Sequence, residues 1–210
     1  MNAREEVLAR LRTARDVGAP RGGVPPVPRD YHRTGTHRAG SAEVVDRLEE
    51  TLTDYRATVY RAATEADVAG VLARILDGAS AVVVPPGLPA WGGDLPGRRV
   101  DDPPLTVAEL DRVDAVVTTA AVAIAATGSF VLDAGASGQG RRAITLVPDH
   151  HVCVLRADDV VDSVPEAVAR LDPASPLTFV SGPSATSDIE LARVEGVHGP
   201  RRLDVVLVGP

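Results

Sequence analysis

Residues 57–84 read ATVYRAATEADVAGVLARILDGASAVVV, and this stretch decides the fold class. Ala57–Tyr60 is a short strand-like run. Thr64 followed by Asp67 has the form of a helix-capping pair, with Asp in place of the usual Glu. Val68, Val71, Leu72, Ile75 and Leu76 then recur at helical spacing, and Gly78 closes the segment. Ala81–Val84 is a continuous apolar run, the pattern of a strand buried on both faces. Strand, capped helix and buried strand in that order are the grammar of an α/β sheet.

Upstream, Ser41 opens a helix whose apolar residues are Val44, Val45, Leu48 and Leu52. Residues 17–40 carry Gly18, Pro20, Gly22, Gly23, Pro25, Pro26, Pro28, Gly35 and Gly40, which excludes a continuous helix and predicts an extended arm. Residues 2–16 read as a helix capped by Asn2. The expected organisation is therefore an N-terminal helix and Pro/Gly-rich arm over 1–40, then an α/β domain over 41–210. Downstream, 106–112 is a short helix candidate. Ala115–Thr119 and Ser129–Asp133 are strands around a small turn or helix at 120–126. Ala143–Val147 and Val152–Leu155 are apolar runs, Asp158–Leu171 reads as a helix, and Leu177–Val180 and Leu203–Val208 read as strands.

Composition narrows the function classes. All 22 basic residues are Arg, and the absence of Lys excludes Schiff-base chemistry, pyridoxal phosphate and a P-loop lysine. One cysteine, Cys153, excludes an intramolecular disulfide and any Cys-built zinc or iron–sulfur site held by this chain alone. A net charge of −7 argues against nucleic-acid binding. The charge-free stretch Ala115–Leu132 is broken by Thr and Gly and reads as buried structure, not a membrane span. No apolar leader precedes it, so a cytoplasmic protein is expected, in keeping with a lone thiol.

Polar and Gly-rich residues gather in four clusters in the C-terminal half: Thr127-Gly128-Ser129, Gly135 to Arg142, Ser181 to Glu190, and Glu195 to Arg202. In the second, Gly138, Gln139, Gly140, Arg141 and Arg142 fit either an anion cradle or a hairpin tip with solvated arginines. Its glycine spacing departs from the dinucleotide fingerprint. In the third, Ser181, Gly182, Ser184, Thr186 and Asp188 follow a strand and are expected to open a helix, whose first turn either caps itself or receives an anion. His150 and His151 are adjacent on a strand, so at most one faces a pocket. Cys153 in an apolar strand reads as a core thiol. The histidines form no familiar metal spacing, and no metal site is expected.

The runs Thr127-Gly128-Ser129, Gly138-Gln-Gly-Arg-Arg142, Leu146-Val-Pro-Asp-His-His-Val152, Ser181-Gly-Pro-Ser-Ala-Thr-Ser-Asp-Ile-Glu190 and Gly196-Val-His-Gly-Pro-Arg201 resemble the signatures of the LUD-domain family, in its lactate-utilisation branch. The resemblance covers about residues 110–208. It implies a three-layer α/β/α sheet of the NagB/RpiA/CoA-transferase-like group. It also implies a role in a bacterial system that oxidises L-lactate to pyruvate. The implied partners are an iron–sulfur protein and a CCG-domain, Cys-rich protein.

With no redox cofactor expected in this chain, the resemblance casts it as an accessory or substrate-binding subunit of a lactate-oxidising complex. A small carboxylate is the expected ligand. Thr127, Gly128, Gly138, Gln139, Gly140, Arg141, Arg142, Ser181, Gly182, Ser184, Thr186, Asp188 and His198 are the candidate binding residues. Asp188, Glu195, His198 and His151 are the candidate catalytic ones. Two alternatives stand beside it: an independent enzyme on a phosphorylated, acyl-CoA or folate-type substrate, and a regulatory or scaffold protein. The 17–40 arm is also of a kind exchanged between subunits of a homo-oligomer.

Overall fold

The computed structural model describes residues 2–18, 26–186, 194–195 and 199–209. By internal contacts the chain divides into two units, Met1–Tyr31 and His32–Pro210. The first holds helix α1 (Ala3–Gly18). Asn2 and Glu5 cap it reciprocally, side chain to backbone, at 2.9 and 3.1 Å. None of its residues is buried.

The second unit contains α2 (Ala42–Asp54), β1 (Thr58–Ala62), α3 (Glu65–Ile75), β2 (Val82–Val84), β3 (Arg99–Val100), α4 (Val107–Leu110), β4 (Ala115–Thr119), β5 (Val122–Ile124), β6 (Ser129–Asp133), β7 (His150–Arg156), β8 (Val160–Val161), α5 (Val164–Val168), β9 (Leu177–Val180), β10 (Ala185–Thr186), β11 (Val194–Glu195) and β12 (Arg202–Val208). Six strands in the order β1-β12-β7-β4-β2-β3 form a wholly parallel sheet. A second sheet has the order β8-β5-β6-β9.

Strand alternation divides the main sheet into two faces. Val152, Val154, Val206 and Val208 pack with Val68, Val71, Leu72 and Ile75 of α3. Cys153, Leu155, Val205 and Leu207 pack with Val44, Leu48 and Leu52 of α2, and with Ala123, Phe130 and Leu132 of the second sheet. The result is a parallel sheet with helices on both faces, as the resemblance implies. Each fully buried Leu or Phe contributes about 1.5–3 kcal/mol to holding the layers together. The expected capping pair Thr64–Asp67 forms at the start of α3.

The strand at 57–60 lies slightly later than its apolar run indicates, at Thr58–Ala62. Two expectations change more. The charge-free stretch after β4 holds a further strand, β5, because Val122–Ile124 pair with both β6 and β8; only 125–127 is a short 3-10 turn. The continuous helix expected at 158–171 is replaced by a 3-10 turn at 157–159, β8 and the short α5. There Val160–Val161 pair with β5, and Ser163 with Glu166 starts a new helix whose first turn accepts Pro165. Residues 142–145 form a 3-10 turn that buries Ile144. In the third cluster Ala185–Thr186 are strand, paired antiparallel with Val194–Glu195, and the helix expected to follow falls on residues 187–193, outside the described residues.

Candidate functional site

The cleft is built where β9, on the edge of the second sheet, passes over the β7–β12 pair. It has a volume of about 170 Å³ and is lined by Arg142, Thr145, Leu146, His151, Leu203, Gly199, Pro200 and the run from Thr178 to Ser184. The two polypeptide arms that meet there are tied by the Ser184 N–H, which donates to the Pro200 carbonyl at 2.8 Å.

His151 lies on the β7 face that looks toward the second sheet, whereas His150 lies on the other face. The expectation that only one of the pair reaches a pocket is met by His151. Its Nε2 is 2.8 Å from the Thr118 hydroxyl, and its ring meets Phe130 edge-on at 5.9 Å. Burial pushes its pKa down to about 3, with the neighbouring His150 adding to the effect, so the ring is neutral near pH 7. Beneath it, burial raises the Cys153 thiol to about 12, against the opposing hydrogen bond from Thr118. That thiol is inert.

Arg142 is the one charged side chain among the described residues of the cleft wall, and its Nη1 donates to the Thr178 hydroxyl at 2.9 Å. At the back, the Ser181 hydroxyl lies 2.5 Å from that of Ser129, which in turn meets Thr127. The cleft is therefore cationic at the rim, hydroxyl-rich along one wall and neutral at the floor. Such a site favours a small anion with a further hydrogen-bonding group.

The structure brings together Arg142, His151, Ser181, Gly182 and Ser184 of the candidate residues, with Thr127 reaching them through Ser129. Others serve the scaffold. Gly128 adopts φ +56°, and a Cβ there would come within 2.8 Å of the Thr51 backbone. Gln139 is buried and accepts the Asp133 N–H at 2.7 Å. Gly138 and Gly140 also have positive φ and line up against Thr119 and Ile144. Arg141 spends Nε and Nη2 on buried Asp101, at 2.7 and 2.9 Å, and Nη2 also on the Leu105 carbonyl.

Thr186 and Glu195 lie on the β10–β11 ribbon. Asp188 and His198 lie outside the described residues. Sequence reasoning missed Thr118, Thr145, Thr178, Phe179 and Leu203. The available signal was a hydroxyl within an otherwise apolar strand, alone at Thr178 and beside Thr119 at Thr118.

In the fourth cluster, Arg201 pairs with Asp149, and Arg202 lies 2.7 Å from Asp204, which also holds His150 at 2.7 Å on the α3 side of the sheet. Among the described residues, no group of three or more His, Cys, Asp or Glu is placed to hold a metal ion. No helix among them is long and apolar enough to cross a membrane.

Comparison with known proteins agrees with this architecture. The LUD domain model matches residues 106–208. The chain is 50% identical over 176 residues to lactate utilization protein C of Deinococcus radiodurans, covering 80% of this chain and 81% of the relative. It is 27% identical over 173 residues to the uncharacterized protein YkgG of Escherichia coli K12, covering 79% and 68% of the two chains. A crystal structure of a DUF162 family protein from Deinococcus radiodurans superposes with a TM-score of 0.68 at 42% identity, covering 80% of this chain and 98% of that one. The identity across four fifths of both chains and the shared fold establish that this chain belongs to the LUD-domain family.

Proposed function

We propose that this protein is the non-redox, substrate-binding component of a lactate-utilisation system. The observation that carries the reading is the cleft itself, in which Arg142 is the only charged group among the described lining residues and stands above a neutral His151. The relative identical at half of 176 aligned residues is named for lactate utilisation, which supports the same ligand class. At about 170 Å³ the cleft is smaller than the roughly 300 Å³ and upward typical of pockets for drug-sized ligands, which favours a molecule of a few carbons.

In this reading Arg142 takes the carboxylate of L-lactate, and the Ser181 side of the wall takes its hydroxyl. His151 orients the substrate by hydrogen bonding. A ring that holds a proton only near pH 3 is a poor base at neutral pH, so proton removal falls to another group. Oxidation of lactate to pyruvate releases two electrons and two protons. A single buried Cys with its thiol raised to about 12 does not ligate a cluster, so the electrons pass to iron–sulfur and CCG-domain partners.

The test is reconstitution of L-lactate-dependent dye reduction with those partners, with and without this chain. We expect oxidation to require the chain, and Arg142→Ala to raise KM for lactate at least about tenfold. Equal oxidation without the chain overturns the proposal.

A further inference from the structure

The Gly135–Arg141 loop, which the cleft does not absorb, lies by the carboxyl ends of β2 and β4. Strand order there has a direction change. From β2 the chain moves outward to β3, through a segment whose Trp91 and Leu95 pack on the α3 side. From β4 it turns the other way, through the second sheet on the α2 side, before returning to β7. The carboxyl ends of β2 and β4 therefore part to opposite faces, and such a switch point leaves a crevice in an α/β sheet.

The loop is pinned over this crevice. The Gly138 N–H donates to the Pro86 carbonyl at 3.0 Å, and the Thr119 N–H donates to the Gly138 carbonyl at 2.8 Å. The Ser137 hydroxyl donates to the Gly87 carbonyl at 3.2 Å. A Cβ on Gly138 would meet Thr119 Oγ1 at 2.8 Å, so the close approach depends on glycine.

Between loop and strand ends is a groove of about 470 Å³, walled by Pro86, Asp101, Pro104, Ala136, Ser137 and Arg141, with Gly140 beside them. Asp101 is neutralised by the Arg141 fork and by the Leu105 N–H at 2.8 Å. Arg141 Nη1 and the Ser137 and Gly140 N–H groups have no hydrogen-bond acceptor among the described residues.

We propose that this groove is a second ligand site, distinct from the Arg142 cleft, for a small anion that presents two or more acceptor oxygens, a carboxylate or a phosphate. The rigid loop supplies backbone donors, and Arg141 supplies an outward cationic edge already held in place by Asp101.

The test is an amide chemical-shift titration of the full chain, with inorganic phosphate in one arm and L-lactate in the other, each to about 50 mM. We expect saturable shifts at Ser137 and Gly140 in at least one arm, and the arm that saturates first names the oxygen chemistry. Ala136→Glu, which places a carboxylate in the groove, is expected to weaken binding at least about tenfold, while Arg142→Ala leaves these shifts unchanged. If Ala136→Glu fails to fold, Ser137→Glu, on an exposed position, replaces it. Absence of saturable shifts in both arms, or binding indifferent to the introduced carboxylate, overturns the proposal.

Discussion

Arg141 and Arg142 are consecutive, yet they serve different strands of one sheet, Arg141 the end of β3 and Arg142 the β7–β12 pair. Arg141 is folded back onto buried Asp101 and the Leu105 carbonyl beside the C-terminal strand ends. Arg142 is exposed, touches Thr178 and lines the cleft over β7 and β12. The first guanidinium holds a loop in shape and leaves only its Nη1 edge for the proposed groove; the second has little structural work and is available to a ligand. The difference lies in what each side chain meets, not in its chemistry.

The largest effect is expected from Arg141→Ala, which leaves the Asp101 carboxylate buried without its cation. Breaking a buried pair costs about 3–5 kcal/mol, and with Arg141 itself a third exposed we expect about 3 kcal/mol, read by urea unfolding. A loss below about 1 kcal/mol would erase the contrast between the two arginines.

Next in size is an acid effect at the cleft floor. The pKa of folded His151 lies near 3, below its ordinary 6.5. The unfolded chain therefore takes up a proton there as pH falls below 6.5 while the native chain does not. The associated stability is complete above pH 6.5 and drains away toward pH 3. Relative to wild type, His151→Gln should lose about 2–3 kcal/mol less between pH 7.5 and 4.5. Parallel pH profiles for the two proteins would show that His151 is not the buried neutral group described.

Gly128→Ala should cost about 2 kcal/mol, from the left-handed backbone and the contact with Thr51, and should lower the melting temperature without altering the groove. The smallest change in stability belongs to Arg142→Ala, within about 0.5 kcal/mol of wild type, while lactate binding collapses. A stability loss like that of Arg141→Ala would make the two arginines equivalent after all.

Much of the fold was legible because local and tertiary signals agree. The Thr64–Asp67 cap, the Val68–Ile75 stripe and the Val82–Val84 run each point to one state, and each is found. Residues 158–171 misled because an apolar periodicity there belongs to two elements. Val160–Val161 are drawn into a sheet by a partner 37 residues upstream in sequence, at Ala123–Ile124.

The candidate site was legible in part for a similar reason. Glycine and arginine in one loop announce unusual backbone and charge. Nothing local separates a glycine that admits a ligand from Gly128, which admits a helix backbone. Nor does anything local tell that Asp101 claims Arg141 and spares Arg142. Those distinctions are made by long-range contacts, which a linear pattern does not carry.

The place of β12 in the sheet has a consequence for biosynthesis. Among the described residues, β1 in the main sheet is hydrogen-bonded to β12 alone, Thr58 beside Asp204, and β12 is also the bridge to β7. A ribosome delivers residue 58 long before residue 204. Until then β1 and the α2 face beside it wait without their strand partner, so the sheet closes only after nearly all of the domain has emerged. A nascent chain halted before residue 202 would hold β1 outside the sheet, and its newly made apolar surfaces would be natural substrates for chaperones.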